Sequence, residues 1–208
     1  MIPALEALDR LRTGNRRFAD HARSDDAFLS HTRRPELGQP QRPFAIILGC
    51  ADARVPAELV FDQGLGDLFV IRVAGNIVAP SQVGSVEFAA SAYGTRLVVV
   101  LGHSECGAVL ATIDELRRPT VNQSRNLAAI VDRVRPSIEG LMHTPLASDP
   151  DALVREAVRA NIRSSANHLR HGSAILEQLI QDEGLVVVGA EYLLQTGDVD
   201  FFDGVPAA

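Results

Sequence analysis

The chain has 208 residues and a formal net charge of −6 with histidine counted as neutral. This acidic balance argues against a nucleic-acid partner, which usually requires clustered positive charge, and no apolar run reaches the roughly 20 residues that cross a bilayer, so we expect no membrane partner. Two cysteines are too few for a disulfide framework, and the N-terminus does not resemble a signal peptide, which together predict free thiols and a cytoplasmic location.

Residues 1–42 are predicted to form an N-terminal helix and an arm. Apolar residues recur at helical spacing over 4–19, at Leu5, Leu8, Leu11 and Phe18. Residues 20–42 are polar, contain two prolines and show no clear periodicity. This stretch is predicted to be an arm around a partner subunit or a flexible surface loop, with a short helix near Ala27.

Residues 43–208 alternate between short apolar runs and helical patterns, as expected for a parallel sheet flanked by helices. The predicted strands are 44–48, 67–73, 97–101 and 185–190. The predicted helices are 56–61, 83–93, 108–116, 122–139, one from about 151, and 173–181. A turn at 195–198 between 192–194 and 199–202 predicts a hairpin. We therefore expect one α/β domain over 1–208, with a mostly parallel central sheet, an N-terminal helical arm and a C-terminal hairpin-like edge.

Both cysteines follow apolar runs that end in glycine. Cys50 follows the run that ends at Gly49, and His103 and Cys106 follow the run 96–102. Parallel sheets bind ligands at the carboxyl ends of their strands, so these side chains are expected to meet. Two thiolates and one imidazole are three of the four ligands that zinc takes, which leaves one position for water. A single such cysteine is more often a core residue, but the joint placement predicts a zinc enzyme.

Two further features refine this predicted site. A helix that begins at Cys106 is expected to lower the pKa of its thiol. Asp52 and Arg54 follow Cys50 at alternate positions, so the three side chains are able to face one cavity. Taken alone, an Asp-x-Arg sequence is usually only a local ion pair.

Four segments resemble the motifs of the β-class carbonic anhydrases: Cys50–Val55, Phe61–Val70, Arg72–Asn76 and Gly102–Ala108. The resemblance is strong from about residue 41 to 109 and looser as far as 197. It implies that Cys50, His103 and Cys106 bind zinc, and that zinc-bound hydroxide attacks carbon dioxide to give bicarbonate. Asp52 would orient the hydroxide, and Arg54 would keep Asp52 ionised and directed away from the metal.

The same resemblance assigns a substrate pocket and an assembly. Gln41 would donate a hydrogen bond to the substrate, Phe69 and Phe88 would line the carbon dioxide pocket partly across a subunit interface, and the Gly107 amide would touch the substrate. The family also forms homodimers, often paired into homotetramers.

Some bacterial relatives have an inhibitory bicarbonate pocket with a tryptophan three residues before the first ligand cysteine. This chain has Ile47 in place of that tryptophan, whereas Arg72 and Tyr192 could be the other two members of such a pocket. We therefore predict that the pocket is absent and that the zinc keeps an open position.

Three alternatives remain. The same zinc site could hydrolyse carbon disulfide or carbonyl sulfide, or Asp52 could permanently fill the fourth position in a non-catalytic zinc protein. Arg54 argues against the second, because a cation beside Asp52 competes with the metal for its carboxylate. Dinucleotide binding lacks a G-x-G-x-x-G sequence after any predicted strand and is the weakest alternative.

Overall fold

A computed structural model describes residues 2–22, 38–119 and 124–206. The short helix predicted near Ala27, most of the predicted arm and the first two residues of the predicted helix 122–139 lie outside these ranges. The described residues carry the sheet and the helices that pack on it.

The centre of the fold is a five-stranded sheet in the order β2-β1-β3-β4-β5. Its strands are β1 (Ala45–Gly49), β2 (Leu68–Arg72), β3 (Leu97–His103), β4 (Val186–Tyr192) and β5 (Val199–Asp203). The first four strands are parallel to their neighbours, and β5 is antiparallel to β4. The predicted parallel sheet with a hairpin-like edge is confirmed, although β4 runs unbroken to Tyr192 instead of ending near residue 190.

Seven α-helices accompany the sheet in the described part of the chain. They are α1 (Ala4–Ala19), α2 (Ala57–Val60), α3 (Pro80–Ala92), α4 (Gly107–Arg117), α5 (Arg125–Ile138), α6 (Pro150–His171) and α7 (Ala174–Asp182). Three 3-10 segments complete the described elements: Ala74–Asn76, Glu139–His143 and Pro145–Ser148.

Proline lies in a terminal turn of two helices. Helix α3 begins at Pro80 rather than Val83, because proline suits the first helical turn, where its missing N–H costs no hydrogen bond. Helix α5 contains Pro136 in its last turn and gives way to a 3-10 segment at Glu139. None of the described helices is long and apolar enough to cross a membrane.

Apolar residues fill both faces of the sheet because alternate strand residues point to opposite sides. In β1, Ile46 and Leu48 pack with helices α3 to α7, whereas Ala45 and Ile47 pack with α1 and α2. The central strands β1 and β3 are in register from Ile46 opposite Val98 to Gly49 opposite Leu101. This register places the residues that follow β1 beside the carboxyl end of β3.

Candidate metal centre

The side chains of Cys50, His103 and Cys106 come together at the carboxyl edge of the sheet. Their sulfur and ring nitrogen atoms all lie within 4.8 Å of one another. All three residues are buried, and the two cysteines are not bridged. Cys50 follows β1, His103 ends β3, and Cys106 precedes α4, so three separate backbone positions fix the cluster. The predicted meeting of these side chains at one sheet edge is confirmed.

The hydrogen bonding of His103 fits metal coordination. Its Nδ1 lies 2.9 Å from the carbonyl oxygen of Ser104, a contact that requires the proton on Nδ1. Its Nε2 is buried, faces the two thiols and has no hydrogen-bond partner among the residues that the structure describes. A buried nitrogen lone pair without a donor is costly in a core, and a divalent cation would satisfy it.

The two thiols also fit a cation. Hydrogen bonds from Cys106 and from the backbone amides of Asp52 and Gly75 lower the pKa of Cys50. The Asp52 amide donates to Cys50 Sγ at 3.5 Å and the Gly75 amide at 3.4 Å. The same Cys50 thiolate, together with burial, raises the pKa of Cys106. The backbone amides of Ala108 and Val109 at the start of α4 lower the pKa of Cys106, as predicted, but the neighbouring Cys50 and burial outweigh them. A divalent cation would let both thiols ionise.

Asp52 lies beside the cluster and is held by Arg54. The Arg54 side chain donates Nε to Asp52 Oδ1 at 3.0 Å and Nη2 to Oδ2 at 2.8 Å, and its backbone amide donates to Oδ1 at 2.9 Å. These bonds lower the pKa of Asp52 well below its usual range. The Asp52 Oδ2 atom is 3.8 Å from His103 Nε2. The Asp52 carboxylate therefore lies next to the cluster while it is bound to the Arg54 guanidinium.

Two residues contact the site in ways that were not predicted from the sequence. Gly75, with φ +71°, donates its amide to Cys50, and a Cβ atom there would lie 2.9 Å from the Cβ of Ala108. Its carbonyl accepts a hydrogen bond of 2.8 Å from Asn161 on α6. Arg72 donates to the carbonyls of Cys50 and Asp52. The segment Arg72–Asn76 was part of the resemblance, which is the signal that could have drawn attention to both.

The predicted pocket residues lie in two groups. Phe69, Phe88 and Tyr93 form an aromatic cluster with ring centroids 5.5 to 6.3 Å apart. Gln41 donates Nε2 to the Tyr93 hydroxyl at 2.8 Å, so it lies beside this cluster. Gly107 is separate from the aromatic group: it opens α4 directly after Cys106, and no described residue outside its own helix turn lies within 4 Å of where its Cβ would be. Their roles toward a substrate remain predictions.

The three positions considered for a bicarbonate pocket have structural partners. Ile47 is fully buried and packs in the same apolar cluster as Tyr192. Burial raises the pKa of the Tyr192 phenol. Arg72 directs two donors to backbone carbonyls. The absence of the pocket remains a prediction.

Comparison with known proteins identifies the family. The sequence model of the family described as "Carbonic anhydrase" matches residues 45–199. The chain is 36% identical over 189 residues to "Carbonic anhydrase 2" of Mycobacterium tuberculosis, covering 90% of this chain and 87% of that protein. It is 39% identical over 168 residues to "Carbonic anhydrase" of Mycolicibacterium smegmatis, covering 81% of this chain and 79% of that protein.

Solved structures share the fold. A tetrameric β-carbonic anhydrase of Sordaria macrospora superposes with a TM-score of 0.74 at 21% identity, covering 86% of this chain and 89% of that one. The β-carbonic anhydrase CafA of Aspergillus fumigatus also gives 0.74, at 22% identity, covering 98% and 92%. With the extent of the family match and the identities to bacterial relatives, these findings mean that the chain belongs to the β-class carbonic anhydrase family.

Proposed function

We propose that this protein catalyses the zinc-dependent, reversible hydration of carbon dioxide to bicarbonate and a proton. Membership of the carbonic anhydrase family supports the reaction. The observation that carries the proposal is the buried cluster of Cys50, His103 and Cys106, in which two sulfurs and an unpartnered imidazole nitrogen converge within 4.8 Å. Soft sulfur and imidazole ligands suit zinc better than magnesium or calcium, which prefer oxygen.

Three ligands fit an open, catalytic zinc site, since a closed structural site has four protein ligands. A zinc ion held there would supply an acidified water for addition to carbon dioxide. Asp52 would accept a hydrogen bond from that water through Oδ2, which lies 3.8 Å from His103 Nε2. The bonds from Arg54 to both Asp52 oxygens hold the carboxylate away from the fourth position.

The substrate pocket is proposed to lie next to the aromatic cluster of Phe69, Phe88 and Tyr93. Carbon dioxide is apolar, so aromatic side chains provide a suitable lining, and Gln41 and the Gly107 amide supply donors for the developing bicarbonate. Phe88 is 54% exposed although it contacts two other rings. We propose that a second copy of the chain covers it, in a homodimer or homotetramer.

We further propose that the protein acts in the cytoplasm. Its two cysteines are free and buried, which suits a reducing compartment in which thiols remain available to a metal.

Metal removal and replacement tests the proposed reaction. Stopped-flow measurements with a pH indicator should show carbon dioxide hydration that disappears on chelation and returns with zinc. His103→Gln should lose both zinc and activity, because it removes the only nitrogen ligand. His143→Gln should keep both, since His143 is exposed at the end of a 3-10 segment outside the cluster.

Two results would replace the proposal by one of the alternatives. A zinc-loaded protein that hydrolyses carbon disulfide or carbonyl sulfide, with no carbon dioxide hydration above buffer, would favour the sulfur substrates. A protein that binds zinc tightly and converts none of these molecules would be a non-catalytic zinc protein with Asp52 as its fourth ligand.

A further inference from the structure

Arg72 binds the backbone of the segment that carries Cys50 and Asp52. Its Nε donates to the carbonyl of Cys50 at 3.0 Å, and its Nη2 donates to the carbonyl of Asp52 at 2.5 Å. The two carbonyls are two residues apart, and the planar guanidinium spans them with donors of fixed geometry. Arg72 therefore constrains the backbone on both sides of Ala51.

The position of Arg72 suits this task. It is the last residue of β2 and lies opposite Gly49 in the register with β1, so the sheet itself fixes its backbone. Among the described residues, no carboxylate lies within ion-pair distance of Arg72. Its donors are directed to the segment 50–52.

Asp52 needs such a constraint because two cations compete for its carboxylate. One is Arg54, and the other is the metal that Cys50, His103 and Cys106 would hold. Asp52 Oδ2 is already 3.8 Å from His103 Nε2, so a small movement of the segment would bring the carboxylate into the ligand set. The Arg54 side chain is 54% exposed, and an exposed ion pair contributes little by itself.

We propose that Arg72 is a positioning residue for the reaction: by donating to the carbonyls of Cys50 and Asp52, it holds Asp52 on Arg54 and off the metal. This inference rests on the proposed function and adds a residue to it. This role differs from anion binding by Arg72, since two of the Arg72 donors are bound to backbone oxygens.

The experiment compares zinc-loaded wild-type protein with Arg72→Ala and Arg72→Lys. Crystal structures at mildly alkaline pH should show Asp52 on Arg54 in the wild type and coordinated to zinc in Arg72→Ala. The kcat/KM for carbon dioxide should fall about tenfold or more in the alanine variant, with zinc content unchanged. Lysine keeps the positive charge but lacks the paired donors of the guanidinium, so Arg72→Lys should recover only part of the rate that Arg72→Ala loses.

Arg163→Ala is the matched control. Arg163 is 46% exposed on α6, pairs with Glu156 and does not contact the 50–54 segment, so its loss should leave kcat/KM and the position of Asp52 unchanged. Arg72→Gln provides the same measurements if Arg72→Ala fails to fold.

An Asp52 that stays on Arg54 in every folded Arg72 variant would overturn the proposal, whether or not the rate falls. An inactive wild-type protein would instead refute carbon dioxide hydration, and the crystal structures would still report on the position of Asp52. The two failures are therefore distinguishable.

Discussion

At the scale of single residues, Arg54 controls where Asp52 points rather than whether it is ionised. Its hydrogen bonds lower the pKa of Asp52, but the ordinary value of 3.8 is already far below neutral pH. Removing Arg54 raises that pKa toward 3.8 and leaves the carboxylate ionised at neutral and alkaline pH. What the variant loses is the partner that competes with the metal for Asp52.

We therefore expect Arg54→Ala to lower carbon dioxide hydration by roughly 10- to 100-fold while zinc content is unchanged. The deficit should shrink as the pH rises through the alkaline range, because hydroxide competes with Asp52 for the fourth position on the metal. Stopped-flow rates at several pH values, together with metal analysis, provide the test.

Arg133→Ala is the control, since Arg133 is exposed and, within the described part of the chain, donates only to the Ala129 carbonyl of its own helix. Wild-type rates in Arg54→Ala would remove the role proposed for this arginine. A deficit of constant size at every pH would show that Asp52 does not compete with hydroxide for the metal.

The three candidate ligands could be predicted from sequence because each follows a short apolar run, rich in β-branched residues, that is typical of a buried strand. The contacts of Arg72 and Gly75 could not. Arg72 is the last residue of a strand in which nothing marks it as a donor to a neighbouring loop. The Gly75 carbonyl is bound by Asn161, 86 residues away along the chain, and such a contact depends on how α6 lies on the sheet.

At the scale of elements, the long helix α6 packs closely on the strands that carry the site. A Cβ atom on Gly102 of β3 would lie 2.5 Å from Ile162 Cδ1, and one on Gly189 of β4 would lie 2.8 Å from Ile162 Cγ2. Both glycines therefore make room for Ile162, which is fully buried. Gly102 directly precedes His103, so this packing also sets the position of the imidazole.

Gly102→Ala should lower the free energy of unfolding by about 1–3 kcal/mol, because the added methyl group overlaps Ile162. Ile162→Ala should lower it by about 2–5 kcal/mol through the cavity it leaves. The double variant should lose less than the sum of the two, since the smaller side chain makes room for the methyl group. Urea denaturation of the four proteins completes the cycle.

Gly84→Ala is the matched control, because no described residue from outside its own stretch of α3 lies within 4 Å of its Cβ position and alanine is the better helix former. It should raise stability by about 0.5–1 kcal/mol. Strict additivity between Gly102→Ala and Ile162→Ala would contradict the steric account.

Element types were easier to predict than element bounds. The runs before Cys50 and His103 are apolar, rich in β-branched residues and short, which leaves few options other than buried strands. Helix α3 begins three residues earlier than predicted. Its first turn, Pro80 to Gln82, carries no apolar periodicity, so the sequence pattern did not indicate it. Strand β4 extends to Tyr192 because β5 pairs with it from Gly189 onward.

At the scale of the whole molecule, the parallel sheet with its hairpin edge was predictable, whereas the docking of α1 was not. Asn15 of α1 donates to the carbonyls of Val60 and Gly197 and accepts from the amide of Val199, so the helix is bound to the end of α2 and to the start of β5. No periodicity in sequence specifies a contact between residues 15 and 199. The amphipathic pattern of α1 predicts only that one of its faces is covered.

The exposed aromatic cluster predicts self-association. Phe88 is 54% exposed yet packs edge-to-face on Tyr93, with ring centroids 5.5 Å apart, and also contacts Phe69. Burial of such a cluster favours association, whereas a carboxylate at its centre would lose its hydration without gaining a partner. Phe88→Glu should therefore shift the protein from a dimer or tetramer toward the 22.4 kDa monomer in sedimentation velocity at micromolar concentration.

The matched control is Ile175→Glu, which places the same charge at another exposed apolar position, 49% exposed on α7 and outside the aromatic cluster. It should sediment as the wild type does. Because Phe88 is proposed to line a pocket shared between subunits, kcat/KM should fall in Phe88→Glu and stay unchanged in Ile175→Glu. A wild-type protein that sediments as a monomer, or a Phe88→Glu variant that retains the wild-type mass, would show that this surface does not join two copies.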